Sequence, residues 1–270
     1  MLEIILLIIV FIIGIYFGSF FTLATYRLPK KEDITHKHSY CPNCNHKLGV
    51  FDLVPIFSYL FLKGKCRYCG NKIGIRYFLF ELLTGIVFVL FAISLNVNIL
   101  NLSINTIIYF ALTILYFSSL FILAGIEKEK NTIQKSVLIY GVFVSILYMI
   151  YSYTLNPDNV YAYVIYLLMM VILLFMDIIV LKKKMKYSYT IQILILILYM
   201  LIFSGAYNTI FTVSIAILSI GFRRLLLKLN GNKSKVVKDE TKVPFGFFLC
   251  VSNILVIIIS NFIINYTIIK

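Results

Sequence analysis

Residues 2–25 read LEIILLIIVFIIGIYFGSFFTLAT, and YRLPKK follows at 26–31. Glu3 is the single charge in the first stretch, whereas the second opens a cluster of cations. A helix needs about 20 predominantly apolar residues to cross the hydrocarbon core of a bilayer. This run is long enough, and Arg27, Lys30 and Lys31 hold its far end in water. It exceeds the roughly 7–15 apolar residues of a signal peptide and lacks a basic start, so it is expected to remain as an anchor. Working outward, the same pattern recurs at 77–96, 103–126, 134–154, 160–181, 189–205, 209–229 and 245–268. The sixth and seventh of these eight expected spans are parted by Gly205-Ala206-Tyr207-Asn208, and Asn156-Pro157-Asp158-Asn159 marks another turn. Composition agrees: of 270 residues, 61% are hydrophobic and 13% charged, against roughly 45–50% and 25% in soluble domains. Such a chain cannot cover a water-facing surface. Soluble enzymes, disordered chains, collagens and secreted disulfide scaffolds are excluded. The expected fold class is all-α, a polytopic helical membrane protein with one polar insert at 26–76.

Net charge is +14. In a soluble protein this would point to nucleic acid, but its placement points to topology. Of the 25 Lys and Arg, 24 lie in segments 26–76, 127–135, 182–186 and 223–242, including Lys128, Lys130, Lys135, Lys182, Lys183, Lys184 and Lys186. The terminal Lys270 is the remaining one, and the intervening loops at 97–102, 155–159 and 206–208 carry none. By the positive-inside rule the basic segments are cytoplasmic and both termini lie outside. No nucleic-acid partner is expected; the partner that the charges imply is the lipid bilayer.

The insert holds Cys41-Pro42-Asn43-Cys44 and, 21 residues on, Cys66-Arg67-Tyr68-Cys69. Two residues between thiolates let both sulfurs of a knuckle reach one ion, and two knuckles supply the tetrahedral four-sulfur shell that Zn²⁺ favours. Gly70 follows the second knuckle, where a tight turn calls for positive φ. Two disulfides are the alternative, opposed by the reducing side on which charge places the loop. Cys41, Cys44, Cys66 and Cys69 leave no open position for catalysis, so the expected zinc is structural. His36, His38 and His46 read as loop residues, though His46 stands close enough to Cys44 to substitute. Cys250, alone in the last span, reads as a small core residue. An insert this short has little core of its own, so the ion would supply much of its folding energy.

Gly18-Ser19-Phe20-Phe21, Tyr26-Arg27-Leu28-Pro29, the two knuckles, Asp52 to Leu60 (DLVPIFSYL), Arg76-Tyr77, Glu81 to Gly85 (ELLTG) and Val243 to Leu249 (VPFGFFL) together resemble the prepilin peptidase family. The resemblance implies a bacterial inner-membrane aspartic protease. It would cut the leader from type IV prepilins and pseudopilins at the cytoplasmic face, and could N-methylate the new terminus with S-adenosylmethionine. Division into a first helix at 1–25, a zinc-binding insert at 26–76 and a seven-helix membrane domain at 77–270 follows.

That chemistry rests on two acids whose closeness pushes their pKa values apart, so that one takes a proton from water while the other polarises the scissile carbonyl. The family's first Asp aligns with Glu127, which keeps a carboxylate but reaches one methylene further. The second aligns with Thr190, in Tyr187-Ser188-Tyr189-Thr190-Ile191-Gln192, and threonine has no acid to share a proton. Thr22 stands where the family has Asn. Asp177, about 7–8 Å in from the basic end of the fifth span, is a possible stand-in. Glu81 reads as a structural or substrate-site hydrogen-bond partner, and Glu129, between Lys128 and Lys130, as solvated. Three readings follow: a peptidase on Glu127 and Asp177, a non-catalytic member that binds prepilins or pilus-assembly components, and a methyltransferase without proteolysis.

Overall fold

The computed structural model describes residues 2–36, 38–97, 103–155, 157, 160–182, 188–229 and 243–268. Several expectations fall outside these residues: the turn at Asn156, Asp158 and Asn159, the cations Lys183, Lys184, Lys186 and Lys270, Tyr187, and most of the basic segment 223–242. The helices are α1 (Leu2–Arg27), α2 (Phe57–Phe61), α3 (Ile75–Ser94), α4 (Ile104–Lys130), α5 (Lys135–Leu155), α6 (Val160–Lys182), α7 (Ser188–Leu229) and α8 (Phe245–Ile268). Short 3-10 turns lie at Leu28–Lys30 and Val50–Asp52. Among the described residues the extended backbone amounts to two isolated bridges. Seven helices among the described residues are long and apolar enough to cross a membrane, and the chain is a multi-pass helical membrane protein.

The seventh helix carries the difference between seven and eight. Its 42 residues would span about 63 Å if straight, twice the thickness of a bilayer core. The helix breaks at Gly205, whose φ of 81° and ψ of 168° suit a residue without Cβ. Side chains prove the reversal. Asn253 Nδ2 donates to Ser204 Oγ at 3.4 Å and to Thr212 Oγ1 at 3.1 Å. Residues eight apart on a straight helix are about 12 Å apart, so the chain folds back at Gly205 and makes the two spans expected there.

Two compact units are present, Met1–Thr106 and Ile107–Lys270. In the first, α1 packs on α3. The Phe17 ring lies 5.8 Å from both Phe21 and Phe88, and Phe21 and Phe88 are buried. Ile4, Ile5, Ile8 and Ile12 remain exposed, which suits a helix apolar all round only if lipid covers that face. Arg27 is buried rather than solvated: its Nη1 donates to the Asp33 carbonyl and its Nη2 to that of His38, each at 2.9 Å. This positive residue therefore fixes the start of the insert as well as marking the end of a span.

In the second unit, α7 packs against α5, α6 and α8. The Tyr116 ring stacks on Phe203 at 3.8 Å, and its hydroxyl donates to Asn253 Oδ1 at 2.7 Å. This buried network ties α4, both limbs of α7 and α8 together, because each of its polar atoms would otherwise face hydrocarbon unpaired. Helix α4 extends one turn past the expected end at 126. Asn131, at φ 51°, donates its N–H to the Glu127 carbonyl at 2.8 Å, a left-handed cap that absorbs the charged Glu127–Lys130 stretch into the helix.

Candidate functional site

The two knuckles are built alike, 25 residues apart. Asn45 N–H donates to the Cys41 carbonyl at 2.8 Å, and Gly70 N–H to that of Cys66 at 2.9 Å. Asn45 and Gly70 both have positive φ, 57° and 69°. Antiparallel bridges Tyr40–Lys47 and Lys65–Lys72 close the two loops. The four Sγ atoms lie within 4.8 Å of one another, and none of the cysteines is in a disulfide. Zinc–sulfur bonds of 2.3 Å in a tetrahedron separate sulfurs by about 3.8 Å, and Cys41 and Cys69 stand at 3.9 Å. The donor set therefore fits a metal such as zinc. Hydrogen bonds from the Asn71 backbone and the Asn43 amide hold the Cys69 thiol down, to about 7, whereas burial and the adjacent Cys41 and Cys69 thiols push Cys44 up, to about 11, the divergence expected of sulfurs crowded into one site. His46 is not part of the cluster; its ring lies on Tyr68, centroids 3.6 Å apart.

Asp52 braces the second knuckle. Arg67 Nε donates to its Oδ1 at 2.7 Å, while Tyr68 Oη and Gly49 N–H donate to Oδ2, each at 3.1 Å. Burial alone would push this carboxyl up; the Gly49 N–H and the Arg67 and Tyr68 partners outweigh it and hold it below its ordinary value. Glu81, expected to serve as a hydrogen-bond partner, accepts the Ile56 N–H at 2.8 Å. A cavity of about 300 Å³ in the first unit is lined by Thr22, Tyr26, Tyr40, Tyr59, Tyr77 and Glu81, among others.

The acids expected to catalyse lie in the second unit. Glu127, in the last turn of α4, is buried. Its Oε1 accepts the Tyr189 hydroxyl, and also the Gly246 N–H at 3.0 Å. Gly246 is the second residue of α8, where backbone N–H groups lack helical partners and the dipole favours an anion. A Cβ at Gly246 would run into the Glu127 carboxylate. The glycine of VPFGF thus lets α8 begin on that carboxylate. The Lys128 ammonium, 5.3 Å above the Phe247 ring, fastens the same junction. Gly246→Ala is expected to expel the Glu127 carboxylate from the helix start and to cost about 1–3 kcal/mol. A thermal unfolding comparison in detergent, with Gly246→Ala added to Glu127→Ala as the second arm, checks it: the glycine substitution should cost much less once the carboxylate is gone.

Thr190, the residue at the second acid position, is exposed, and its neighbour Tyr189 meets Glu127. Asp177 is buried and paired elsewhere: Lys135 Nζ stands 2.5 Å from its Oδ2, and Ser188 Oγ donates to its Oδ1 at 3.4 Å. Tyr189 and Gly246 are the site residues that sequence reasoning missed. The first adjoins the residue it singled out, and the second lies inside a motif it quoted without a role. Cys250, expected in the core, is fully buried.

Residues 12–95 match the family described as Bacterial Peptidase A24 N-terminal domain. The chain is 42% identical over 89 residues to a prepilin leader peptidase/N-methyltransferase of Vibrio cholerae, covering 30% of this chain and 35% of that protein. A protein of the same name from Myxococcus xanthus is 41% identical over 78 residues, 29% of this chain and 23% of its own length. One from Bacillus subtilis is 38% identical over 113 residues, 40% of this chain and 46% of its own. The chain thus spans less than half the length of these curated relatives. No solved structure matches. The family match ends at residue 95, so Glu127, Asp177 and Thr190 lie beyond it.

Proposed function

We propose that this chain, whose residues 12–95 match the Bacterial Peptidase A24 N-terminal domain and resemble prepilin leader peptidases, is a member of the prepilin peptidase family that binds the leader segments of type IV prepilins or pseudopilins without hydrolysing them. It would do so in the bacterial inner membrane, with the zinc-bearing insert cytoplasmic and both termini outside. One observation carries the reading. The Glu127 carboxylate rests on the Tyr189 hydroxyl and the Gly246 N–H, while Asp177 is held by Lys135 and Thr190 has no acid to offer. Acid-pair hydrolysis needs a second carboxyl that shares a proton with the first. An active peptidase on Glu127 and Asp177 would require Lys135 to release its partner.

The test is co-expression with a cognate prepilin in cells lacking any other prepilin peptidase. The pilin is expected to keep its full mass and to co-purify with this chain. A leader-sized loss of mass that disappears in Glu127→Gln would overturn the reading and make the chain an enzyme.

A further inference from the structure

The insert has an apolar outer face that water does not explain. Val50 (80% exposed), Phe51 (81%) and Phe61 (81%) are nearly bare, and Phe57 and Leu60 are exposed too. Phe57, Leu60 and Phe61 occupy positions i, i+3 and i+4 of α2 and share one face. The opposite side of the segment, with Ser58, Tyr59 and Leu62, lines the cavity. The short helix is thus amphipathic with its apolar side outward. Such a patch marks an interaction surface.

Its depth identifies what covers it. Ile56 donates its N–H to Glu81, six residues into the span α3, or about 9 Å along its axis. The Tyr59 ring stacks on Phe78, centroids 5.3 Å apart, in the first turn of that span. These contacts hold α2 beside the first two turns of α3, level with the start of that apolar span. Positive backbone φ at the β-branched Ile56, 64°, with Phe57 N–H donating to the Pro55 carbonyl at 2.6 Å, bends the segment to that level. The patch is continuous in kind with Ile75, Leu79 and Leu83, exposed on α3 itself. Lys47, Lys63 and Lys65, all exposed, flank it. The acid within the segment, Asp52, turns its carboxylate to Gly49, Arg67 and Tyr68.

We propose that residues 50–62 are an interfacial membrane anchor. Val50, Phe51, Phe57, Leu60 and Phe61 seat in the boundary between headgroups and acyl chains, and Lys47, Lys63 and Lys65 meet the phosphates of anionic lipids. Helices of this character lie roughly 5–10 Å into that boundary, and juxtamembrane lysines add electrostatic attraction. The insert is then fastened to the membrane by its own middle as well as by α1 and α3.

The chain contains no Trp, so a single Phe61→Trp reports on this position alone. The probe is full-length protein in vesicles of phosphatidylglycerol and phosphatidylcholine, the latter brominated at shallow or deep acyl positions. The indole is expected to lose roughly half its emission to shallow bromines, as an interfacial depth of 5–10 Å requires, and to resist aqueous iodide. His36→Trp, in the exposed loop before the first knuckle, serves as the water-facing reference. Removing phosphatidylglycerol should weaken the shallow quenching of Phe61→Trp; Lys63→Gln with Lys65→Gln should do the same. An indole quenched by iodide like that of His36→Trp would overturn the proposal. One shielded from both bromine and iodide would also overturn it, placing protein, such as a second copy, over the patch. Metal content of each variant, and trypsin resistance of those that keep Lys63 and Lys65, confirm that the insert is folded.

Discussion

Full-length protein carrying Cys41→Ser and Cys66→Ser is expected to lose its metal and, with it, the folded insert, while the membrane helices persist. The reason is the poverty of the insert's own core. Among the described residues from 28 to 74, those buried are Cys41, Pro55, Ile56, Gly64 and Cys66. Two of these belong to the candidate metal cluster and one is glycine. Apolar burial on that scale cannot offset the ordering of some forty residues at roughly 1–2 kcal/mol each for the backbone. Structural zinc contributes about 10–16 kcal/mol to folding at neutral pH. If even ~5 kcal/mol of that opposes local opening, its loss speeds cleavage by more than a thousandfold, since about 1.4 kcal/mol is a factor of ten. The measurement is limited trypsin digestion beside metal analysis: the wild type should carry one zinc per chain and resist cutting at Lys63 and Lys65. Equal digestion of wild type and variant would defeat the expectation. So would a wild type that resists cutting with no bound metal.

The second large effect concerns Asp177. Lys135→Met is expected to destabilise the second unit by about 3 kcal/mol, at the low end for breaking a buried pair because the lysine side chain is partly exposed. The cost arises from the carboxylate left behind, 7% exposed and without its counter-ion. Asp177→Asn should therefore restore much of the stability when added to Lys135→Met. Replacing both partners is less harmful than replacing one. Unfolding in mixed micelles measures the cycle, and additive single effects would mean that the two side chains do not interact. The pair also has a positional role. Gln192 Nε2 donates to Ser188 Oγ at 3.3 Å, and Ser188 donates to Asp177. One carboxylate therefore joins α5, α6 and the first turn of α7, the turn that presents Tyr189 to Glu127.

The spans were legible because the bilayer imposes one long apolar signal per crossing, and the cysteine cluster was legible because its ligands come as matched pairs close in sequence. The expected third span stopped at 126 because Glu-Lys-Glu-Lys is polar, whereas the helix runs on through Glu127 to its cap at Asn131. Tyr189 was missed for a different reason. A frame aligned on a threonine says nothing about helix phase, and rotation by one residue turns Thr190 outward and Tyr189 inward. The Lys135–Asp177 pair joins residues on separate helices, and hydropathy carries no record of such contacts. The apolar outer face of α2 escaped because a five-residue helix is too short for periodicity to show.

Gly205 finally bears on a site it does not touch. Tyr189 opens α7 and Gly246 opens α8, yet both reach the same carboxylate of Glu127. Two helix starts can share an end of the bundle only when the chain between them crosses an even number of times. The break at Gly205 supplies the second crossing. The junction at Glu127 is thus a matter of parity: one glycine, sixteen residues from Tyr189, decides whether the strand of chain leaving that junction ever comes home to it.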